Sequence, residues 1–390
     1  MPGGESIVST PEAHPSHYSE GAASLDPGEG FFRPDSRPSR DLGVALLHVL
    51  ATMRPEGSAL TVLDGLAGCG IRSLRYGLEA GATAVLSNDA DPQRRPLLER
   101  NLAPLAARGV TVEVQTTTIQ KLLARCLLEE RRFDWVDLDA FGGSTELLPL
   151  AIEAVRFDGV LYLASTDGRS FTGHDRRAAV RRLGAAVRAQ PCSWELALRL
   201  QLGAVARVAW SQGRGIRPLL SLSDGRTFRT AVAIRRHPAA GEESQLGLTG
   251  YCHGCGDHRG ASLLQLRPGS LGRCACGGEP VLSGPLWRGP LQDCSWLRAA
   301  DRQAPPGTLS SASRRRLEQL ADDAGLPPEA WSQGDLARRL GLGPPPLAVL
   351  LERLREAGWQ AGASGVAAGQ FRTDAPWSAV LEAGGQRHSR

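Results

Sequence analysis

The chain has 390 residues, of which 42% are apolar and 22% are charged, a balance typical of globular proteins. At roughly 150 residues per domain, this length predicts two or three domains. No apolar run approaches the ~20 residues that span a bilayer, and the first thirty residues lack the basic start and apolar stretch of a secretory signal. We therefore expect a cytoplasmic protein rather than a membrane protein, a collagen, a coiled coil or a disulfide-stapled secreted module, with no obligatory protein partner evident.

The net charge of +4 is unevenly distributed. Residues 169–236 hold fourteen Arg against three acidic residues, so this stretch carries an excess of eleven positive charges and the rest of the chain is acidic. A local excess of this size predicts a polyanionic partner. A solvated helix face is the alternative interpretation.

Strands and helices alternate along the first half of the chain. Residues 1–30 are predicted to be a disordered tail, and a helical run follows from residue 41. Strand-like segments then alternate with helical ones as far as residue 165, a pattern that predicts a parallel, doubly wound sheet. An amphipathic helix is expected over residues 194–212. A hairpin with Asp224-Gly225 at its turn is predicted to close the sheet.

Three predicted strand ends carry polar residues, and ligands of an open parallel sheet bind beyond such ends. Glycines after the first strand would let the backbone approach a ligand closely. Asp64 would repel a pyrophosphate and suits a cationic amino-acid ligand, which favours S-adenosylmethionine over NAD. The alternative is a tight turn in a non-binding domain. The residues concerned are Asp64, Gly65, Gly68 and Gly70 in the first turn and Asp89 after the second strand.

The fourth strand ends in Asp139 and Phe141, which together indicate chemistry on a nucleobase. A carboxylate that accepts hydrogen bonds from an exocyclic amine localises the lone pair of that amine, and an aromatic ring stacks on the base. Correct positioning of the reactants can supply roughly 7–11 kcal/mol of the rate enhancement. Phe141 as a core-packing residue is the alternative.

Four cysteines in one short window predict a structural zinc site. Cys252-x2-Cys255 is followed, eighteen residues later, by Cys274-x-Cys276, and glycines flank both pairs. Two such pairs are typical of a tetrahedral zinc site in a reducing compartment, with two disulfides as the alternative. Residues 238–245 look like a linker before this segment. The helical segments after Pro305-Pro306 resemble a winged helix.

The chain resembles the tRNA guanine-N2 dimethyltransferases, which methylate the exocyclic amine of guanine 26 with S-adenosylmethionine. The resemblance covers the region from about residue 29 to about residue 380. It implies an α/β fold: a Rossmann-like class I methyltransferase domain over 31–237 and an α+β, zinc-bearing, winged-helix-like tRNA-binding domain over 246–390. The matching segments are FFRPDSRPSRDL, DGLAGCGIRSLRYGLEAGA, SNDADP, DLDAFGG, ASTD, LGAVARVAWSQGRGIRPLLSLSDGRTFR, SGPLWRGPL after the cysteine pairs, LPPEA, PPPLAVLLERLREAG and FRTDAPW.

The resemblance also implies roles for individual residues. Asp139 would be the catalytic carboxylate, and Phe141 would flank the base. Arg40 would reach toward the cofactor, and Asp89 would bind its ribose. Asp64 and the glycine turn would hold the methionine part. Arg72, at the start of the next helix, and Thr118, at the position of an acidic residue expected near the adenine amine, complete the expected cofactor-binding set.

Five positions depart from the pattern of the family. Thr118 replaces the acid beside adenine, which would weaken cofactor binding by about 1–3 kcal/mol if the adenine amine lost its partner. Ala140 replaces the proline that follows the catalytic aspartate, Phe32-Arg33-Pro34 replaces Tyr-Asn-Pro, and Ser39 replaces the asparagine before Arg40. The second cysteine pair is one residue short. A catalytically impaired tRNA-binding protein and a DNA amino-methyltransferase are therefore kept as alternatives.

The expected RNA substrate explains the arginine-rich stretch. A stacked guanine must leave the helix before its amine can react, at a cost of a few kcal/mol. Phosphate contacts can offset this cost without reading sequence. The candidate phosphate-binding residues are Arg176, Arg177, Arg181, Arg182, Arg207, Arg214 and Arg217.

Overall fold

The chain begins with a short hairpin in the computed structural model, which describes residues 17–225 and 227–385. Strands β1 (Tyr18–Glu20) and β2 (Ala23–Leu25) pair antiparallel, and helix α1 (Arg37–Thr52) follows. The prediction of a disordered tail is therefore wrong for residues 18–25, while residues 1–16 lie outside the described part of the chain. Each strand has three residues, too few to give a periodic signal. A buried ion pair between Glu20 and Arg40 holds the hairpin against α1.

A seven-stranded sheet forms the centre of the molecule. Its order is β5-β4-β3-β6-β7-β9-β8, and all strands run in the same direction except β9, which pairs antiparallel with both β7 and β8. The predicted parallel sheet and the predicted turn at Asp224-Gly225 are thereby confirmed. The strands are β3 (Thr61–Asp64), β4 (Ala84–Asn88), β5 (Thr111–Gln115), β6 (Phe133–Asp139), β7 (Val155–Ser165), β8 (Gly215–Ser223) and β9 (Phe228–Arg235).

Helices cover both faces of this sheet, as expected for a parallel sheet whose strands are buried on both sides. Along β6, Val136 and Leu138 belong to the core on one face, and Trp135 belongs to the core on the other. The helices of this part are α2 (Ile71–Glu79), α3 (Arg95–Ala106), α4 (Ile119–Leu128), α5 (Leu148–Ala154), α6 (Gly168–Phe171), α7 (Arg176–Leu183) and α8 (Ser193–Ser211).

Parallel pairing brings the carboxyl ends of three strands to one edge of the sheet. Asp64 at the end of β3 is in register with Asp137 of β6 and with Ser87 of β4. Asp139 is the last residue of β6, and Asn88 is the last residue of β4. The side chains expected to act on ligand and substrate therefore share one edge, as the sequence predicts.

A small antiparallel sheet follows the large one and carries the four clustered cysteines at one end. Its order is β11-β10-β12. Helix α9 comes after it and packs on α1. The elements are β10 (Leu246–Tyr251), β11 (His258–Ser262), β12 (Val281–Trp287) and α9 (Cys294–Gln303).

The last part of the chain has the predicted winged-helix form. A three-stranded antiparallel sheet of order β13-β15-β14 and the last three helices pack around their own core, whereas the first helix of this part belongs to a core of the large sheet. The described residues include no helix that is both long enough and apolar enough to cross a membrane. The elements are α10 (Ser311–Asp323), β13 (Ala330–Ser332), α11 (Gln333–Leu340), α12 (Leu347–Glu356), β14 (Ala361–Ala363), β15 (Gln370–Thr373) and α13 (Trp377–Gly385).

Candidate active site and cysteine cluster

Two arginines hold the carboxylate of Asp139 from opposite sides. Its Oδ2 accepts a hydrogen bond from Arg72 Nη2 at 3.0 Å, and its Oδ1 accepts one from Arg229 Nη2 at 2.5 Å. Desolvation raises the pKa of Asp139, but Arg229 and Arg72 outweigh it and hold the pKa at about 2. The side chain keeps 36% of its surface exposed. An ionised carboxylate is therefore presented to solvent at the end of β6.

The same two arginines also contact Asp137, which precedes Asp139 by two residues on β6. Arg72 Nη1 lies 3.6 Å from one oxygen of Asp137, and Arg229 Nη1 lies 3.5 Å from the other. Tyr76 donates its hydroxyl to Asp137 Oδ2 at 2.6 Å. Each of the two guanidinium groups therefore contacts both Asp137 and Asp139. The orientation of Asp139 depends on these residues from α2 and β9.

The structure changes the expected role of Arg72. It was predicted to bind the cofactor, but its side chain is buried and its guanidinium is occupied by Asp139, Asp137 and the hydroxyl of Ser39. The sequence gives no sign of the Arg229 contact, because residue 229 lies 90 residues away from Asp139 on an antiparallel strand. A contact between charged residues so far apart in sequence can be recognised only when the order of the strands in the sheet is known.

Asp64 is not the exposed anion that the sequence predicts. It is fully buried at the end of β3, where its Oδ2 accepts hydrogen bonds from the backbone N and the hydroxyl of Ser73. Burial, together with the charge of Asp137, raises the pKa of Asp64 to about 7. In this structure Asp64 fixes the start of α2 against the sheet, and its contact with the cofactor stays a prediction.

The glycine turn after β3 leaves open space at one residue and packs tightly at the other two. A Cβ on Gly68 would meet nothing within 4 Å, and its φ of +58° is a conformation that glycine adopts freely. A Cβ on Gly65 would lie 2.7 Å from Ile119 and Leu138, and one on Gly70, where φ is +83°, would lie 3.0 Å from Leu98. The turn is therefore open only in its middle.

Asp89 and Asn88 connect this turn to the neighbouring strand ends. Asp89 accepts a hydrogen bond from the backbone N of Gly68 at 3.0 Å and is half-buried. Asn88 donates to the carbonyls of Gly65 and Thr117, both at 3.0 Å. Thr118 is exposed at the N-cap of α4 and makes no capping hydrogen bond with its side chain. The structure thus brings Gly68, Asp89 and Thr118 to one side of the site.

Two exposed aromatic rings lie beside the candidate catalytic carboxylate. Phe141 is 71% exposed and Phe31 is 60% exposed. Their ring centroids are 4.8 Å apart at 78°, an edge-to-face contact. Phe141 is therefore not a core residue, which removes that alternative. Phe31 was missed because the segment before α1 carries no periodic signal.

Arg40 is used inside the protein. Its guanidinium pairs with Glu20 and donates to the carbonyls of Arg33 and Pro34 at 3.0 and 3.1 Å, and the residue is 4% exposed. Arg40 therefore anchors the segment that carries Phe31, because the two carbonyls lie just after that residue. Its role in cofactor binding stays a prediction.

The four clustered cysteines converge on one point. Their sulfur atoms all lie within 4.8 Å of one another. A tetrahedral zinc ion with Zn–S bonds of roughly 2.3 Å requires S···S separations of about 3.8 Å. The backbone N of Gly256 donates to the carbonyl of Cys252, and that of Gly277 donates to the carbonyl of Cys274. Two tight turns therefore present the four thiols, Cys252, Cys255, Cys274 and Cys276, to a common centre.

Comparison with known proteins places this arrangement in a family. The family model described as N2,N2-dimethylguanosine tRNA methyltransferase matches residues 12–384. The chain belongs to this family. A tRNA (guanine(26)-N(2))-dimethyltransferase of Thermococcus kodakarensis is 32% identical over 90% of this chain and 92% of its own length. The protein of the same name from Aeropyrum pernix is 30% identical over 97% of this chain and 95% of its own length.

A solved structure supports the fold of this N2,N2-dimethylguanosine tRNA methyltransferase family member. Trm1 from Pyrococcus horikoshii, solved in complex with S-adenosyl-L-methionine, superposes with a TM-score of 0.81 at 24% sequence identity. The similarity covers 94% of this chain and 99% of that protein. The Rossmann-like domain and the appended C-terminal part therefore belong to one architecture shared by the two proteins.

The arginines expected to contact RNA in this family member fall into two groups. Arg207 donates to the carbonyl of Leu183 at the end of α7, and Arg214 is buried against the carbonyl of Ile152 and Glu153. Arg217 pairs with Asp293. In this structure these three hold elements of the protein together, and their role in RNA binding stays a prediction. The other four, Arg176, Arg177, Arg181 and Arg182, are exposed on α7.

Proposed function

We propose that this protein transfers methyl groups from S-adenosylmethionine to the exocyclic N2 amine of guanine 26 in tRNA, giving N2-methyl- and N2,N2-dimethylguanosine. The observation that carries the proposal is the ionised carboxylate of Asp139, which Arg72 and Arg229 hold at the end of β6, two residues before the exposed ring of Phe141. The family model, which matches residues 12–384, indicates that the substrate is tRNA. A tRNA substrate and four reduced thiols both favour a cytoplasmic location.

The residues beside the glycine turn suit the cofactor. Open space at Gly68 leaves room for a ligand close to the backbone, and Asp89 has a half-buried carboxylate that can accept hydrogen bonds from ribose hydroxyls. Thr118 offers an exposed hydroxyl at the neighbouring strand end. We assign Gly68, Asp89 and Thr118 to cofactor binding. S-adenosylmethionine, when bound, supplies the electrophilic methyl group.

Asp139 activates the amine of the target base. The lone pair of an exocyclic amine is delocalised into the purine ring, and the N–H groups of that amine donate hydrogen bonds to the carboxylate. This interaction localises the lone pair on N2, which then forms the new N–C bond as the bond between the methyl group and its donor breaks. The carboxylate takes the proton that N2 loses and passes it to water. Its pKa of about 2 keeps it an acceptor at neutral pH.

Phe31 and Phe141 hold the base. Their rings contact each other in this structure, at a centroid separation of 4.8 Å. Small rotations of two exposed side chains would open the pair to receive a flat base. Stacking of a base on an aromatic side chain contributes about 1–3 kcal/mol, which offsets much of the cost of extruding the guanine.

The cysteine cluster fits a structural zinc ion. Zinc prefers four thiolates in a tetrahedral arrangement, and the four sulfur atoms lie close enough to share one ion. We assign Cys252, Cys255, Cys274 and Cys276 as its ligands. An ion there would fix the loops at the end of the β10–β12 sheet, which have few core residues of their own.

Nucleoside mass spectrometry tests the proposed reaction. Unmodified tRNA is incubated with the protein and with S-adenosylmethionine carrying a labelled methyl group, and is then digested to nucleosides. We expect label in N2-methylguanosine and N2,N2-dimethylguanosine. Label in DNA alone would favour a DNA amino-methyltransferase. Binding of tRNA without any labelled nucleoside would favour a catalytically impaired RNA-binding protein.

A further inference from the structure

A groove of about 740 Å³ runs between α7 and the edge of the small sheet that carries the cysteines. One wall belongs to the methyltransferase domain, and the other belongs to strand β12. We call it the α7–β12 groove. The residues that define it here are Arg176, Arg177, Val180, Arg181, Arg188 and Leu282.

The α7 wall carries unbalanced positive charge. Arg176, Arg177 and Arg181 are exposed, and none has an ion-pair partner in the part of the chain that the structure describes. The only acid beside them in sequence, Asp175, caps α7 by accepting from the backbone N of Ala178. Several other arginines of this stretch are committed to carbonyls and acids of the protein, whereas these three are positioned for an external anion. The committed arginines are Arg199, Arg207, Arg214, Arg217 and Arg229.

The last turn of α7 lies against the loop that carries Phe141. Arg182, in the last turn of α7, forms an ion pair with Asp167. A Cβ on Gly143 would lie 3.8 Å from Arg182 Cδ, so this arginine touches the catalytic loop. Gly142 of the same loop donates its backbone N to the hydroxyl of Thr166 at 2.7 Å. The arginines of α7 therefore lie on a helix that adjoins the loop of the base site.

Apolar side chains lie among the charges. Val180 is 59% exposed on α7, and Leu282 is 41% exposed on the facing strand β12. A surface for a small anion would have no need of them. A polynucleotide strand presents phosphates together with the apolar faces of sugars and bases, and this mixture matches the lining.

We propose that the α7–β12 groove binds the sugar–phosphate backbone of the tRNA strand adjoining the target guanosine, with the cysteine-bearing sheet as its second wall. The proposal rests on the proposed function and deepens it, since it assigns the surface that holds the substrate. Arg176, Arg177, Arg181 and Arg188 contact phosphates, and Val180 and Leu282 contact sugars or bases.

A matched pair of double variants tests the arginine wall. R177Q/R181Q removes two charges from the groove, and R108Q/R125Q removes two exposed charges beyond the end of α3 and in the last turn of α4. The dissociation constant for tRNA is measured as a function of salt. Two lost phosphate contacts should lower the slope of log K against log[salt] by about 1.4 to 1.8 and raise Kd by about tenfold, with little change in the control. Unchanged binding by R177Q/R181Q, or an equal loss in the control, would overturn the proposal.

A second pair tests the opposite wall. L282E places a negative charge across the groove from α7, and L264E places the same charge on another exposed leucine of the same module, 69% exposed and outside the groove. We expect weaker tRNA binding by L282E alone. Equal affinities of the two variants for tRNA would show that β12 is not part of the binding surface. Failure of the proposed function is a separate result, because it would show as absence of methyl transfer by the unaltered protein whatever its affinity for tRNA.

Discussion

The charge state of Asp139 depends on two arginines that come from different parts of the chain. Its carboxylate would be harder to ionise in this half-buried place without Arg229 and Arg72. A depressed pKa keeps the group ionised above about pH 2, so protonation of Asp139 should not limit the unaltered enzyme near neutrality. An acid limb caused by Asp139 should therefore enter the range above pH 4 only when one of these arginines is lost.

Arg229→Gln should move that acid limb to higher pH. The variant removes the cation that lowers the pKa of Asp139 most, and desolvation, which raises that pKa, is then less opposed. Single-turnover methyl transfer is measured from pH 4 to pH 9 for both proteins. We expect the rate of the variant to fall at a higher pH than that of the unaltered enzyme. Superimposable profiles with a uniformly lower rate would assign Arg229 a purely structural role.

Phe31→Ala should weaken substrate binding without destabilising the fold, because the ring is 60% exposed. Loss of one stacking partner, about 1–3 kcal/mol, corresponds to about 5- to 150-fold. We expect this loss in kcat/KM for tRNA, and Phe31→Trp should restore most of it. An alanine variant with unchanged kinetics would show that the ring is not part of the base site.

The sequence predicts the anionic and aromatic residues of the site better than it predicts the cations. Asp139, Phe141 and Asp89 follow strands and carry recognisable chemistry. The sequence does not reveal that Arg40, Arg72, Arg207 and Arg214 bond to groups of the protein, because an arginine that faces solvent and one that ties carbonyls together look the same in one dimension. Only the three-dimensional neighbours distinguish them.

At the scale of elements, the strand and helix pattern predicts most of the architecture. Alternating segments give the parallel sheet, Asp224-Gly225 gives the closing hairpin, and the late helical segments give the winged helix. The β1–β2 hairpin cannot be predicted from this pattern, because a buried ion pair between Glu20 and Arg40 holds it in place rather than local propensity. The sheet of β10–β12 likewise has little core of its own.

Removal of zinc should loosen the cysteine-bearing end of that sheet and spare the catalytic edge. We expect about one equivalent of zinc in the purified protein. We expect Cys252→Ser/Cys255→Ser to abolish it, to lower the thermal stability and to weaken tRNA binding through the β12 wall. Binding of S-adenosylmethionine should persist. Cys126→Ser, at a cysteine outside the cluster, serves as the control. Full zinc content in the double variant would contradict the assignment.

At the scale of the whole molecule, the two predicted domains share their packing. Helix α10 lies within the winged-helix segment, yet its Leu317 and Leu320 belong to the same core as Val62 of β3. Arg372 of β15 pairs with Glu195 of α8 and with Asp323 of α10. The predicted domain boundary between residues 237 and 246 therefore divides the sequence but does not divide the hydrophobic core. We propose that the parts fold as one cooperative unit.

Arg372→Met should destabilise the entire chain. The variant leaves two buried carboxylates with one cation fewer, at a cost of about 3–5 kcal/mol. Urea unfolding is followed by tryptophan fluorescence and by far-ultraviolet circular dichroism, and both transitions should shift together to lower urea. An early transition confined to Trp331 and Trp377 of the winged helix would show instead that it unfolds by itself.

The amine at N2 of guanine 26 is the atom on which the whole account depends, and a single-group change in the RNA tests it most directly. A tRNA with inosine at position 26 lacks only that amine and keeps the rest of the purine. The measurement is transfer of labelled methyl groups to paired tRNAs that carry guanosine or inosine at this position, with Asp139→Asn as the inactive reference. We predict label in the guanosine tRNA and none in the inosine tRNA. Equal labelling of the two would contradict the account.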